Sequence, residues 1–531
     1  MSIQEDVKAT RAEYFLRARG ITKVYGDGTL AVDDVTLDVR PGEILGMLGE
    51  NGAGKTTLTK MLSGLLPPTR GQVLSPRGIV RFASPREALD FGIGMVHQHF
   101  ALVGTFTAAE NVALGHEHPF SQVRLEQTRS QLEKLIEESG LHVPLDVPVE
   151  KLAVGEQQRV EILKVLSRNV SLLILDEPTS VLTPVEVDVL FALLRRLRDA
   201  GKSIILITHK LREVSSVTER IVVLRRGRLV GDVATRSVTR DQLAQLMVGE
   251  TAAQTVGAAI ELTEETQLLG QDEERTGPGI LHVTELTVKG DTREVAVRDL
   301  SFDVHGGEVF GIAGVEGNGQ SELVESLGGL RPAVHGRATI RGVDILGKDP
   351  RQIYQLGVAH VPEDRWKLGL VLPFTLAENA ILGIQRWKEF CGFLGFLRKR
   401  RITAHVRQLM DRFGIQATGP NAPAKSLSGG NQQKLIVGRE LAKDPAIIIA
   451  AQPTRGLDIG AAQYIRELLV EMRRKGRAIL LVSADLDEIL ALSDRIAIMY
   501  EGRFVAVGRP SEFDRARIGL LMGGASVKEV A

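Results

Sequence analysis

The sequence Leu48–Leu58, LGENGAGKTTL, decides the fold class of the chain around it. The apolar run EILGML, residues 43–48, leads into this segment. Four residues separate Gly49 from Gly54, and Lys55 and Thr56 directly follow Gly54. Glycines at this spacing let backbone N–H groups wrap a phosphate, while the lysine reaches the terminal phosphates and the threonine can ligate Mg²⁺. A plain glycine-rich turn would need neither polar side chain. The sequence therefore predicts a strand, a phosphate-binding loop and a helix.

A second motif, LLILDEPTS, ends an apolar strand in two adjacent carboxylates, Asp176 and Glu177. An isolated Asp-Glu pair at a strand end is usually part of a solvated loop. Here the apolar strand and the phosphate loop upstream favour a functional interpretation. Asp176 would hold Mg²⁺ through water, and Glu177 would polarise the water that attacks the terminal phosphate in line.

The chain contains the same pattern twice. Residues 21–46, ITKVYGDGTLAVDDVTLDVRPGEILG, match residues 286–311, LTVKGDTREVAVRDLSFDVHGGEVFG, and the second copy carries extra residues between 363 and 428. A period of this length indicates duplicated domains and not a solenoid. We expect a first domain at 10–250 and a second at 279–520. The segment between them, 251–278, is predicted to be a flexible, acidic linker.

Within each copy, short apolar runs alternate with helical patterns. SLLIL before Asp176 and SIILIT before His209 have the length and the Ile and Leu content of buried parallel strands. SQVRLEQTRSQLEKLIEES has helical spacing and ends at Gly140. We therefore predict an α/β fold in which each copy is an α/β core with an inserted helical subdomain, at 100–170 and 365–445.

Composition excludes several classes of protein. A chain of 531 residues is too long for one compact core. Its 66 Lys and Arg balance 66 Asp and Glu, which argues against nucleic acid as the main partner because affinity for a phosphate backbone needs excess cations. The single cysteine, Cys391, excludes an intramolecular disulfide and a multi-cysteine zinc site, and fits a reduced, cytosolic compartment.

No segment is expected to cross a membrane. The longest apolar runs, such as AIIIAAQ at 446–452, are strand-sized and fall far below the roughly 20 residues that a span needs. The first residues lack the apolar core of a secretory signal. If this protein works at a membrane, other chains must span it.

Two further patterns are only weak evidence for a functional site. The histidines at 97–99 and 116–118 have metal-like spacing, but no further ligands accompany them, and we expect no metal site there. The segment 386–401, RWKEFCGFLGFLRKRR, could face a membrane subunit or lipid headgroups. A helix packed on its own domain with a solvated basic end is the favoured interpretation.

The motifs, with LAVGEQQRVEIL (152–163), LSGGNQQKLIV (427–437) and ILITHK (205–210), resemble the ATP-binding subunits of ABC transporters over nearly the whole chain. The tandem arrangement is similar to that of bacterial importers of simple sugars and nucleosides. GMVHQHFALVGTFTAAENVALG, VGEQQRVEILKVL and AAQPTRGLD resemble the nucleoside branch in particular. The resemblance implies two P-loop NTPase domains of the ABC ATPase type, with ATP and Mg²⁺ as cofactors.

The resemblance also assigns roles to individual residues. Tyr25 would stack on adenine, Gln98 would sense Mg²⁺ and the membrane subunits, and His209 would contact the γ-phosphate. The implied catalytic residues are Glu177, His209 and Gln98, and the implied metal-binding residues are Thr56, Gln98 and Asp176. The implied nucleotide-binding residues are Tyr25, Gly49, Glu50, Asn51, Gly52, Ala53, Gly54, Lys55, Thr56, Thr57, Ser428, Gly429, Gly430 and Asn431.

The nucleotide pocket of the second copy departs from this pattern. The residues at the positions of Tyr25, Lys55, Gln98, Asp176, Glu177 and His209 are Gly290, Gln320, Glu363, Ala451, Gln452 and Ala484. Only Ser321 keeps its chemistry, as a hydroxyl that matches Thr56. With charge and base both missing, this pocket is expected to bind ATP weakly and to hydrolyse it little or not at all.

The signature sequences are asymmetric in the opposite direction. The second copy has a nearly complete signature at Leu427–Asn431, with Asp458 in its following loop, whereas the first copy has LAVGE at 152–156 and Thr183. In the family, each site joins the phosphate loop of one domain to the signature of the other. The resemblance therefore implies that all intact parts fall into one composite site.

The predicted function is ATP hydrolysis in a multi-subunit importer of nucleosides or related simple sugars. The implied partners are two separate transmembrane permease subunits and, through the complex, an extracytoplasmic solute-binding protein, with no nucleic acid. The implied location is peripheral, at the cytoplasmic face of the cell membrane.

Three alternatives stay open at this point. One is a ribose- or galactose-type sugar importer. Another is a soluble tandem ATPase that acts on ribosomes or DNA. The acidic linker disfavours it, and so does the nucleotide pocket of the second copy, whose lysine and carboxylates are replaced. The third is a non-hydrolysing regulatory module, which Glu177 and His209 disfavour.

Overall fold

The computed structural model describes residues 14–26, 28–50, 52–97, 101–114, 125–152, 154–179, 182, 184–208, 210–248, 277–291, 294–315, 317–393 and 395–523. The chain divides into two compact units, Met1–Gly257 and Ala258–Ala531. The predicted linker, 251–278, lies outside the described residues apart from its last two positions. Each unit contains one copy of the repeated sequence.

The first unit contains two sheets. Its strands are β1 (Leu16–Val24), β2 (Leu30–Val39), β3 (Ile44–Leu48), β4 (Arg70–Ser75), β5 (Gly78–Val80), β6 (Ile93–Val96), β7 (Leu172–Asp176), β8 (Ser203–Ile207), β9 (Arg220–Arg225) and β10 (Arg228–Ala234). One sheet has the order β2-β1-β4-β5 and is antiparallel, and the other has the order β10-β9-β3-β8-β7-β6. All neighbours in the larger sheet are parallel except β9 and β10.

The predicted buried parallel strands are confirmed in the larger sheet. β7 and β8 lie side by side, with Leu173 opposite Ile204, and all their residues are buried. Because helices cover both faces of a parallel sheet, such strands are apolar throughout and end in polar residues only at their carboxyl edge. This edge therefore collects Asp176 and the residues that follow β3 and β8.

Helices connect these strands. They are α1 (Lys55–Leu62), α2 (Pro85–Phe91), α3 (Ala108–Ala113), α4 (Leu125–Ser139), α5 (Val154–Leu166), α6 (Pro184–Asp199), α7 (Leu211–Val217) and α8 (Arg240–Val248). α3, α4 and α5 lie between β6 and β7 and form the predicted helical insertion. The predicted helix over 121–139 is confirmed from Leu125 onward, and 121–124 lie outside the described residues. It ends before Gly140, whose φ of 73° suits a glycine after a helix.

The second unit repeats this architecture. Its strands are β11 (Gly279–Lys289), β12 (Val295–His305), β13 (Val309–Ala313), β14 (Ala333–Ile340), β15 (Val343–Asp344), β16 (Val358–Val361), β17 (Ile447–Ala451), β18 (Ala478–Ser483), β19 (Arg495–Tyr500) and β20 (Arg503–Gly508). Its helices are α9 (Gln320–Leu327), α10 (Pro350–Gln355), α11 (Leu376–Ala380), α12 (Lys399–Phe413), α13 (Gly429–Leu441), α14 (Ile459–Arg474), α15 (Leu486–Leu492) and α16 (Arg515–Met522).

The strand order of the second unit is that of the first. The smaller sheet runs β12-β11-β14-β15, and the larger runs β16-β17-β18-β13-β19-β20, again parallel except for its last strand. The predicted α/β fold with two tandem domains of one topology is therefore confirmed.

The prediction of a helix over 386–401 was wrong. A helix begins only at Lys399, and the preceding residues form turns with an isolated bridge between Cys391 and Leu397. Gly392 donates its N–H to the Phe396 carbonyl oxygen at 2.9 Å, and this closes a loop that a helix cannot contain. Of the described residues in this loop, Phe393 is fully exposed.

Among the residues that the structure describes, no helix combines the length and the apolar content needed to cross a bilayer.

A buried ion pair lends itself to a test of stability. Arg220, at the start of β9, donates to Glu43 at 2.8 and 3.2 Å, and both side chains are almost completely buried. We expect Arg220→Met to lower the free energy of unfolding by about 3–5 kcal/mol, because it leaves a buried carboxylate without its cation. Urea unfolding of the full-length chain measures this loss.

The second unit provides the matched control. Arg495 pairs with Glu308 at 2.9 Å, but the Arg495 side chain is 38% exposed and His305 also contacts that carboxylate. Arg495→Met should therefore cost clearly less. Equal losses in the two variants would contradict the role assigned to burial.

Candidate functional site

The phosphate loop between β3 and α1 packs too closely for side chains. A Cβ on Gly54 would lie 2.5 Å from the Ala31 carbonyl oxygen, and one on Gly49 would lie 2.4 Å from that of Leu224. Gly52 and Gly54 also have φ values of 82° and 101°, which favour glycine. The loop thus presents backbone N–H groups at the start of α1, where partial positive charge favours an anion.

Lys55 lies inside this loop. It is only 6% exposed, and its Nζ donates to the carbonyl oxygens of Gly49 at 2.6 Å and Glu50 at 2.9 Å. Burial lowers the pKa of Lys55, while Glu177, Asp176 and Glu50 act in the opposite sense. A phosphate in the loop would give this ammonium group a full counter-charge in place of two carbonyl dipoles.

Thr56 and Asp176, which are 120 residues apart in the sequence, meet at the edge of the larger sheet. The Thr56 hydroxyl donates to Oδ2 of Asp176 at 3.1 Å, and Asp176 is 4% exposed. Burial raises the pKa of Asp176, and the Thr56 hydrogen bond opposes this. A hydroxyl and a carboxylate are oxygen ligands of the kind that Mg²⁺ takes together with water and substrate phosphates, so the residues fit this ion.

In the part of the chain that the structure describes, no group of three or more His, Cys, Asp or Glu side chains could hold a metal ion. The histidine patterns at 97–99 and 116–118 lie outside the described residues apart from His97.

Glu177 occupies a turn with an unusual backbone conformation. Its φ is 50°, and its N–H donates to the Ile207 carbonyl oxygen at 3.0 Å, which links the turn to the end of β8. Positive φ at a residue other than glycine costs free energy that the surrounding structure must offset. The strand β7 ends at Asp176, so Glu177 is the first residue of this turn.

Tyr25 lies next to the same loop. It is partly exposed, and its hydroxyl is 3.2 Å from the Thr57 hydroxyl on α1. An aromatic ring that is partly exposed beside the phosphate loop has the chemistry that base stacking needs. Glu50, Gly52 and Ala53 also belong to the loop as predicted, whereas Asn51, Gln98 and His209 lie outside the described residues.

The corresponding pocket in the second unit is occupied by its own side chains. Gln320 is buried, and its side-chain amide lies very close to Gly314. A Cβ on Gly314 would be 1.8 Å from the Gln320 side-chain nitrogen. Ser321 donates to Glu363 at 2.9 Å, and Arg455 pairs with the other oxygen of that carboxylate at 2.6 Å. The remaining cavity measures about 40 Å³. Sequence motifs identified Glu363 as a replacement but gave no signal for its partner Arg455.

The second unit has the same turn as the one at Glu177, but an amide stands in place of the carboxylate. Gln452 has a φ of 47° and donates its N–H to the Val482 carbonyl oxygen at 2.7 Å, as Glu177 does to Ile207. Its side-chain oxygen accepts from the Ala484 N–H at 3.3 Å. A neutral amide held in this way cannot accept a proton from water.

The signature of the second unit begins a helix. The Ser428 hydroxyl caps α13 by accepting from the Asn431 backbone N–H at 3.4 Å, and it also accepts from the Asn431 side-chain amide at 2.9 Å. A Cβ on Gly430 would lie 2.9 Å from that of Ala461, so this helix approaches α14 closely. Gly429 follows the cap as the first residue of α13. The backbone N–H groups here form a second place that favours an anion.

The second unit also has a groove beside its helical insertion. A cavity of about 580 Å³ lies between α10, β16 and the insertion, and its lining includes Tyr354, His360, Arg351, Arg386 and Arg439. Burial raises the pKa of Tyr354 and lowers that of His360. Arg439 donates to backbone oxygens of the insertion, which holds its walls together. Arg351 and Arg386 are both exposed and give the rim of this groove positive charge.

Comparison with known proteins gives a consistent result. The profile of the ABC transporter family matches residues 32–180 and 297–455. The chain is 42% identical over 510 residues to the nucleoside import ATP-binding protein NupA of Lactococcus lactis subsp. cremoris, covering 96% of this chain and 98% of that protein.

Two further relatives match over similar lengths. The guanosine import ATP-binding protein NupO of Bacillus subtilis is 43% identical over 519 residues, covering 97% of this chain and 99% of that protein. The glucose import ATP-binding protein TsgD13 of Haloferax volcanii is 42% identical over 545 residues, covering 96% of each chain. The similarity therefore extends over both units.

Replacing the buried lysine tests which loop binds nucleotide. We expect Lys55→Met to weaken ATP binding roughly 10- to 100-fold, because a hydrogen bond to a charged group contributes about 1.5–3 kcal/mol. Methionine keeps the buried stem and removes only the ammonium group. Titration of the full-length chain with a fluorescent ATP analogue measures the change. Gln320→Ala is the control and should change the affinity little, and equal losses would contradict the assignment.

Proposed function

The chain belongs to the ABC transporter family, with tandem ATP-binding domains, and we propose that it is the ATP-hydrolysing subunit of an importer for nucleosides or related simple sugars. The observation that carries the proposal is the cluster of Lys55, Thr56, Asp176 and Glu177 at one sheet edge in the first unit. The second unit lacks three of these four side chains.

Each side chain has a separate task in the proposed reaction. The loop N–H groups and Lys55 bind and orient the phosphates of ATP. Glu177 orients a water molecule and accepts its proton as the water oxygen bonds to the γ-phosphorus and the bond to the β-phosphate oxygen breaks. Bound at Thr56 and Asp176, Mg²⁺ would neutralise charge that develops on the phosphates.

Other residues enter the proposal through the family resemblance. Tyr25 stacks on adenine, with Gly49, Glu50, Asn51, Gly52, Ala53, Gly54 and Thr57 around the phosphates. His209 contacts the γ-phosphate, and Gln98 senses the metal ion and the membrane subunits. Ser428, Gly429, Gly430 and Asn431 contribute the signature. The proposed domain limits are those of the sequence prediction, 10–250 and 279–520.

Each chain would contain one hydrolytic site, in its first unit. In the second unit, Gln320 has no charge for a phosphate, Ala451 has no oxygen for a metal ion, and Gln452 cannot act as a base. In addition, the Glu363 carboxylate accepts a hydrogen bond from Ser321, the one hydroxyl that this pocket retains. This pocket would hydrolyse ATP little or not at all.

The import role rests on the relatives and on the groove of the second unit. Proteins named for nucleoside, guanosine and glucose import resemble the chain over nearly its full length. Import ATP-binding subunits act with membrane permeases, and we propose two such subunits here, with a solute-binding protein joined through the complex. The chain would lie peripherally at the cytoplasmic face of the membrane. A sugar such as glucose is a second candidate substrate because that relative is equally similar.

A single substitution tests the proposed base. We expect Glu177→Gln to lower the ATPase rate on the order of 10²–10³-fold, since an aligned electrostatic contact with the reacting water is lost. Steady-state phosphate release by the full-length chain measures the rate. Gln452→Ala, at the matching turn, should cost little. Comparable losses from the two substitutions would show that the single-site proposal is wrong.

The groove allows a test of membrane attachment. Co-expressed with its permeases, the protein should sediment with membranes, and Arg351→Glu combined with Arg386→Glu should reduce that fraction because the cationic rim is reversed. Lys388→Glu, at an exposed position that does not line the groove, is the control. Sedimentation that is equal in all three proteins would contradict docking at this groove. Failure of the wild-type protein to sediment with verified partners would contradict attachment itself.

A further inference from the structure

Glu213 joins the two loops at the carboxyl ends of β7 and β8. Its Oε2 accepts a hydrogen bond from the Thr179 hydroxyl at 2.6 Å and another from the Thr208 hydroxyl at 3.3 Å. Both threonines are 2% exposed, and hydrogen bonds shielded from water are stronger than exposed ones. Thr179 lies two residues after Glu177. The carboxylate therefore ties the turn that carries Glu177 to the neighbouring loop.

Lys210 adds a charge to this connection. Its Nζ lies 3.1 Å from Oε1 of Glu213 and donates to the Thr179 carbonyl oxygen at 3.3 Å. Its backbone N–H donates to the Thr208 hydroxyl at 3.0 Å. The Glu213 side chain is 13% exposed, so the lysine neutralises a largely buried carboxylate. Glu213 and Lys210 together hold the turn through both a side chain and the main chain.

The second unit keeps the carboxylate and lacks the lysine. Its corresponding residues are Thr454, Ser483, Asp485 and Glu488. Asp485 replaces Lys210, so a negative charge stands where the first unit has a positive one. Burial raises the pKa of Glu488, and Arg466 opposes this from α14, with its Nε 3.9 Å from the carboxylate. The two units thus share the hydroxyls and the acid and differ in the cation.

We propose that Glu213, held by Lys210, is a positioning residue that fixes the turn 177–179 and hence the place of Glu177. The inference rests on the proposed function, in which Glu177 is the base. Glu213 itself touches neither the nucleotide nor the water in this proposal. It acts through Thr179.

The geometry of the turn explains why a second attachment matters. The φ of 50° at Glu177 costs free energy, and the turn is attached to β8 by the hydrogen bond from Glu177 N–H to the Ile207 carbonyl oxygen. The Thr179–Glu213 bond attaches the other end. Without it the turn can relax, and a displacement of about 1 Å at a reacting group can cost 10²-fold in rate.

The experiment compares variants of the full-length chain by steady-state ATPase kinetics. Glu213→Ala should lower kcat on the order of 10- to 100-fold and leave KM for ATP little changed, because the phosphate loop is intact. Glu213→Gln keeps an oxygen that accepts from both hydroxyls and should restore much of kcat. Lys210→Met should lower kcat by an intermediate amount.

The second unit supplies matched controls. Glu488→Ala should leave kcat unchanged, and its Tm shift measures the structural cost of losing a buried acid. Unchanged kcat in Glu213→Ala, or equal kcat losses in the alanine variants at 213 and 488, would overturn the inference. If Glu213→Ala fails to fold, the Lys210→Met variant, at an exposed position, tests the inference instead. An unchanged kcat in Lys210→Met would then overturn the inference. An active Glu177→Gln variant would instead refute the proposed function.

Discussion

The close approach of backbone to backbone at the phosphate loop is the constraint on which the rest of each unit depends. A Cβ on Gly54 would lie 2.5 Å from the Ala31 carbonyl oxygen, and one on Gly319 would lie 2.2 Å from that of Ala296. This contact seats the loop against the smaller sheet and sets the start of the following helix, whatever side chains that helix carries. The glycines are therefore required for packing in both units, including the one whose pocket has lost its charges.

The nucleotide pockets of the two units differ in the charge of their side chains and not in the conformation of their backbone. In the first unit a buried Lys55 faces the carboxylates of Asp176, Glu177 and Glu50, an arrangement that gains most from a polyanion and a divalent cation. In the second unit the corresponding side chains are neutral, and Glu363 is satisfied by Ser321 and Arg455. A pocket whose polar groups are already paired gains little from a ligand, since each new contact must replace an existing one.

Local motifs predicted much of this structure because their determinants are local. The strand, loop and helix around Lys55, the buried strands before Asp176 and His209, and the duplicated topology all follow from short patterns. The segment 386–401 was predicted as a helix from composition, but Gly392 and the turn it closes outweigh that pattern. The pairing of Glu363 with Arg455 and that of Glu213 with Thr179 were not predicted, because these partners lie 92 and 34 residues away in sequence and only the fold brings them together.

The two units also show which features can be assigned to catalysis. Glu177 and Gln452 have φ values of 50° and 47° and equivalent backbone hydrogen bonds, so the strained turn exists with and without a base. Strain at this position is therefore a property of the fold and does not identify a catalytic residue. The informative positions are those where the units share geometry and differ in charge. Lys210 and its counterpart Asp485 form such a pair beside an acid that both units keep. This difference in charge sets the two acids apart, since Lys210 neutralises Glu213 beside the turn of Glu177, whereas the counterpart of that lysine beside Glu488 is an aspartate.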